Sequence, residues 1–325
     1  MVSTLFTEQV GIDYPIICGP MYPCSNPELV AAVSEAGGIG VVQPLSMVYV
    51  HGYPLREGLQ KIKLLTKKPF GMNIIVEKSS ALYENRMREA VQIALEEGCR
   101  FFITSLGSPR WVVEAVVPHG GIVYHDVTLR QWAEKAIACG VHGLICVNNR
   151  AGGHAGVLSP QDLYRELADF NLPLVCAGGI GNERDFAEAL QIGYAAVQMG
   201  TRFIATTECR EKMDYKQAIL KAEESDIVLT ERVTGIPLSV IRTPYVEQIG
   251  TKVGPIARFL LQHRLTKHWM RMWYGLLAVR RFKKVSLHGG SPTDYWQAGK
   301  SASHVRDVVP AGTIVRRFMD YLLRC

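Results

Sequence analysis

Short apolar runs with strand character recur along this chain, separated by stretches whose apolar residues fall at helical spacing. The runs lie at 16–18, 40–43, 70–76, 101–105, 122–125, 142–147, 174–176 and 195–198. The segments between them carry helix start and stop signals. Asn26-Pro27 places an N-cap residue before a proline at the first helical position, and Gly37-Gly38 ends that helix. Ser159-Pro160 repeats the start ahead of 162–170, and Asn182 caps a helix that reaches Gln191 and stops at Gly193. Leu129 to Cys139 has helical periodicity and closes with Gly140. Eight strand–helix units in succession require crossover connections between parallel strands. The fold class is therefore α/β: a (β/α)8 TIM barrel with an appended helical C-terminal segment. The eighth helix is expected out of place, because 206–234 is polar and less regular.

A different pattern follows the barrel. From Arg258 to Val285, residues such as Phe259, Leu265, Trp269, Trp273 and Leu277 interleave with basic ones, as in basic amphipathic helices. A loop at Gly289-Gly290-Ser291-Pro292 precedes a final helix expected over 303–323. The chain thus divides into a barrel over 1–235, a basic helical insertion over 236–300 covering the active site, and a C-terminal helix over 301–325 packed on the barrel.

Composition changes little in this picture. With 325 residues, 48% hydrophobic and 20% charged, the chain is an ordinary globular protein with a large core. Its net charge of +6 is local: nine Lys or Arg and no acid lie between Glu247 and Asp294, so the rest is slightly acidic. No nucleic-acid partner is implied. No apolar run reaches the roughly 20 residues of a membrane span, so stable membrane insertion is not expected. The first ten residues lack the pattern of a signal peptide. The eight cysteines form no C-x-x-C pair, and several fall in strand interiors, as reduced core thiols do. A cytoplasmic location is the expectation. The oligomeric state, a homodimer included, stays open.

The candidate chemistry sits in three glycine-rich stretches that follow successive strands: 151–156, 177–180 and 198–202. In parallel α/β sheets, ligands bind at the carboxyl ends of strands, and glycines there let backbone amides approach a phosphate. Gly178-Gly179 and Gly200-Thr201 end the seventh and eighth strands, the usual phosphate position of such barrels. The blander alternative is that they are turn glycines only. His154, between Gly153 and Ala155, can act as a general base or donate to a developing anion. No metal-ligand spacing, paired catalytic carboxylates or G-x-S-x-G elbow is present. A phosphate-holding isomerase or lyase remains an alternative class, as does a flavin-binding protein without turnover.

Five motifs carry a family resemblance. They are 14–21 with 26–38, Pro69-Phe70-Gly71-Met72-Asn73, Ala151-Gly152-Gly153-His154, Val197 to Phe203, and the weaker Trp296-Gln297-Ala298-Gly299. Together they resemble the nitronate monooxygenase family, formerly 2-nitropropane dioxygenases. Jointly they are specific for FMN-binding barrels and less so for one reaction. Relatives include FMN-dependent enoyl-thioester reductases and NAD(P)H:quinone reductases. The resemblance implies FMN, with Met21 and Asn73 lining the isoalloxazine and Gly178, Gly179, Gly200 and Thr201 holding the phosphate. It places Gln198 and Met199 close by, and has Gln297 and Gly299 cover the ring. His154 matches the catalytic histidine, which takes a proton from a nitroalkane or holds the nitronate. A small-molecule substrate and O2 would then give a carbonyl compound and nitrite. The alternative is an NAD(P)H-dependent flavin reductase acting on a quinone or enoyl thioester. Ala155 and Asn148-Asn149-Arg150 depart from the family pattern beside the expected substrate, leaving its identity open.

Overall fold

A computed structural model describes residues 3–77, 81–232, 237–254 and 295–324. Eight parallel strands close into a barrel in sequence order. They are β1 (Ile16–Cys18), β2 (Ile39–Val42), β3 (Gly71–Val76), β4 (Phe101–Leu106), β5 (Ile122–Val127), β6 (Gly143–Val147), β7 (Leu174–Ala177) and β8 (Ala196–Met199). Each corresponds to a predicted run. β8 closes the barrel on β1, with Ile16, Ile17 and Cys18 opposite Val197, Gln198 and Met199.

Strand alternation builds two cores. Ile17, Val41, Ile103, Ile145 and Val175 fill the barrel interior. Their chain neighbours Ile16, Val42, Phe102, Cys146 and Cys176 pack outward against the helices. The base of the barrel is sealed by the helix Leu5–Val10. Its Phe6 meets Phe101 and Tyr124 edge to face, at centroid distances of 5.7 and 5.6 Å. The Tyr124 hydroxyl donates to Gln9 Oε1 at 2.9 Å, so no polar group is stranded there.

The helix starts follow their signals, with one difference. Ser159 and Asn182 accept backbone N–H bonds from Asp162 and Asp185. Asn26 holds the N-cap position without capping; its side chain donates instead to Glu28 and to the Glu208 carbonyl. It thereby ties the start of that helix to the loop after β8.

The region after β8 departs most from expectation. A four-residue helix, Thr201–Ile204, leads to Met213–Lys221. Next comes an antiparallel pair that periodicity did not show, β9 (Ile227–Thr230) with β10 (Leu238–Ile241). The last helix, Ala311–Leu322, packs between the helices Pro27–Glu35 and Glu183–Ile192, with Phe318 5.6 Å from Phe186. That is the place of the eighth barrel helix, filled from the far end of the chain. The basic segment expected from Arg258 to Val285 lies outside the described residues, as does the loop at 289–292. Seven described cysteines are free thiols, all but Cys139 buried.

Candidate active site

The mouth of the barrel is built from the ends of β1, β3, β5 and β8 and from the loops after β6 and β7. Asn73, on β3, is buried, and its Nδ2 donates to Ile103 O at 3.1 Å and Ser105 Oγ at 3.3 Å. Those bonds fix the amide with Oδ1 as the acceptor left for a ligand. Gln198, on β8, points inward by alternation, and its buried Oε1 has no hydrogen-bond partner. Met21, in the loop after β1, brings its Sδ to 3.3 Å from where a Cβ on Gly200 would sit. Met199, one residue beyond Gln198, turns its side chain outward into the helix-packed core. It offers the mouth only its backbone.

Gly178 and Gly179 follow β7 with φ of 115° and 90°, a region that excludes most side chains. A Cβ on Gly178 would lie 2.5 Å from Ala151 N and 2.6 Å from Asn148 Oδ1, so the loops after β6 and β7 are in contact. Asn148 joins them: its Nδ2 donates to Gly178 O at 2.9 Å, and its Oδ1 accepts from Arg150 N at 2.9 Å. Fully buried, it frames the site instead of facing a substrate. Among the described residues, the backbone N–H groups of Gly178, Gly179 and Gly200 bond to no protein acceptor.

The late motif returns to this point. Gly299 N donates to Thr201 Oγ1 at 3.0 Å, and a Cβ on Gly299 would lie 2.6 Å from Gly152 N. Only glycine on glycine permits that crossing. β10 supports both pieces: Ser239 N donates to Gly153 O, and Ile241 N to Trp296 O, each at 2.8 Å. Trp296 stacks on Tyr215 at 5.8 Å. Gln297 lies beside Gly153, its Oε1 3.7 Å from the Cβ position there. The hairpin was missed by sequence reasoning; the short apolar runs Ile227-Val228-Leu229 and Leu238, Val240 and Ile241 were its signal.

His154 stands exposed in this loop, and the protein around its ring still lowers the imidazole pKa by desolvation. The ring is therefore neutral at pH 7 and able to accept a proton. Arg150, from the same loop, forms a two-pronged ion pair with Glu224, which Lys300 also reaches at 3.2 Å. Inward on β5, Asp126 has a buried Oδ1 without a partner, and burial pushes its carboxyl up to about 7. Among the described residues no cluster of three or more His, Cys, Asp or Glu could hold a metal ion. No described helix is long and apolar enough to cross a membrane.

The nitronate monooxygenase family profile matches residues 3–320. The chain belongs to this family. A (3aS,4S,5R,7aS)-5-hydroxy-7a-methyl-1-oxo-octahydro-1H-indene-4-carboxyl-CoA dehydrogenase of Mycobacterium tuberculosis is 30% identical over 252 residues, 76% of this chain and 68% of that protein. A probable nitronate monooxygenase of Staphylococcus saprophyticus is 26% identical, covering 84% of this chain and 92% of its own. FabK from Thermotoga maritima superposes with a TM-score of 0.81 at 26% identity, over 100% of this chain and 97% of that one. A nitroalkane oxidase from Streptomyces ansochromogenes shares the fold, with a TM-score of 0.79 at 21% identity over 98% of both chains.

Members of the nitronate monooxygenase family are flavin-dependent, and the chain is an oxidoreductase of this kind. The mouth fits such a group. Among the described residues, the backbone N–H groups of Gly178, Gly179 and Gly200 lack a protein acceptor, which suits a phosphate. In the same mouth, the orphaned Gln198 Oε1 needs a donor that the protein does not supply.

Proposed function

We propose that this protein is an FMN-dependent nitronate monooxygenase that oxidises alkyl nitronates or nitroalkanes with O2 to a carbonyl compound and nitrite. The unpaired amides of Gly178, Gly179 and Gly200 and the orphaned Gln198 Oε1, beside the His154 loop, carry this reading. Gly178, Gly179, Gly200 and Thr201 hold the phosphate end of FMN, and Met21, Asn73 and Gln198 line its ring. Gln297 and Gly299, anchored on Thr201 and β10, cover it. When bound, FMN accepts two electrons from the substrate and returns them to oxygen. His154, neutral at pH 7, takes the α-carbon proton of a nitroalkane on an imidazole nitrogen; protonated, it then holds the nitronate anion by charge. The buried free thiols support a cytoplasmic location.

A second reading keeps the flavin and changes its partners: NAD(P)H as electron donor and a thioester or quinone as acceptor. The relative named as a carboxyl-CoA dehydrogenase, at 30% identity, favours its thioester substrate, whichever way the electrons run. An anaerobic visible spectrum separates the two. Bleaching of the flavin band by a nitronate, with no response to NADPH or NADH, is the expected result. Bleaching by a nicotinamide overturns the monooxygenase reading in favour of the reductase.

A further inference from the structure

Asp126 is a charged residue type that the reaction above does not use, yet it stands in the mouth. β5 alternates: Tyr124 points into the barrel interior, while Val123 and Val127 pack outward, so Asp126 points inward one step nearer the carboxyl end. It is only partly exposed, and its Oδ1 is buried without a partner. No described cation pairs with it. On the flanking strands, the titratable groups are Cys146 of β6, a buried thiol that feels the Asp126 charge, and His125 of β5 itself. His125 turns away, its Nδ1 2.8 Å from Thr104 Oγ1. Of the groups in the loop after β6, Arg150 is held by Glu224, and His154 is neutral near pH 7. Burial alone sets the acidity of Asp126, which places its titration at about 7.

We propose that Asp126 is a proton-holding residue of the active site that gains a proton when the flavin there is reduced and releases it on reoxidation. The inference rests on the FMN reading above. Two electrons from the substrate leave negative charge on the flavin, and a carboxylate close by is then disfavoured by like-charge repulsion. Between pH 7 and the higher pKa that the reduced flavin imposes, Asp126 starts ionised and each two-electron reduction takes up to one proton onto its carboxylate beyond those the flavin takes. Below pH 7 the carboxyl is already protonated and adds nothing. Asp126 acts as a positioning residue that tunes the flavin through charge, without exchanging electrons itself.

The test is the pH dependence of the flavin midpoint potential in the holoprotein and in Asp126→Asn, which keeps size and removes the titration. Between pH 7 and that higher pKa the oxidised-to-reduced ratio of the natural protein should change by up to an extra tenfold per pH unit relative to the variant, and the two should converge below. Infrared spectra of the natural protein check the point without a variant: a carboxylic-acid C=O band should appear on reduction at pH 8. Parallel potentials and no such band overturn the role of Asp126 while leaving the flavin reading intact. A natural protein that takes up no FMN overturns both.

Discussion

The two ends of the barrel share the same strands and differ in chemistry. At the base, Phe6, Phe101 and Tyr124 interlock, and the one hydroxyl among them is satisfied by Gln9. At the mouth, Gln198 Oε1 and Asp126 Oδ1 are buried without partners. Backbone there is also held at positive φ: Gly178, Gly179 and even Leu106, at 72°. β5 shows the contrast within two residues, since Tyr124 and Asp126 both face inward and only the former has its partner. An unsatisfied buried acceptor costs about 1–3 kcal/mol, and a non-glycine residue at positive φ a similar amount. Such costs persist at the mouth because aromatic burial at the base offsets them. Stability and chemistry are separated along each strand.

If the ends are separate, changes at one should spare the other. The largest effect is expected from His154→Asn, which should lower turnover of a neutral nitroalkane by about 10²–10⁴-fold. Turnover of preformed nitronate should fall far less, with the melting temperature unchanged. Equal losses on both substrates would remove the base role. Next comes Phe6→Ala, which should destabilise the protein by about 3–5 kcal/mol in urea unfolding. The FMN dissociation constant of the folded fraction should stay as it was; a parallel loss of affinity would mean the two ends are coupled. Smallest is Gln198→Leu, which removes the orphaned amide. Apoprotein stability should rise by about 1 kcal/mol while FMN binding weakens in a fluorescence titration. A destabilised apoprotein would show that Gln198 serves packing and not a ligand.

Much of the geometry of the candidate site was legible because it consists of glycines with local duties. Gly178-Gly179 after an apolar run marks a strand end whose backbone must turn left-handed, and His154 is conspicuous between small residues. The outward turn of Met199 was not legible, because a motif names neighbours without saying which of two adjacent side chains a strand turns inward. That Asn148 joins two loops was not legible, because its bond to Gly178 O spans separate parts of the chain. The β9–β10 hairpin escaped because its strands are four residues each and its outer strand is partly exposed. Runs of three or four apolar residues inside a polar stretch are too short to set a period.

The sequence by itself determined the barrel, its eight strands and the glycines that turn its chain at the strand ends, since periodicity and backbone conformation are local properties. Only the tertiary structure decided that the last helix fills the eighth place and that β10 braces the His154 loop against Gly299. It alone decided, too, that Asp126 loses its solvent. These depend on which surfaces meet across long stretches of chain, and burial is a property of that meeting, not of any one residue.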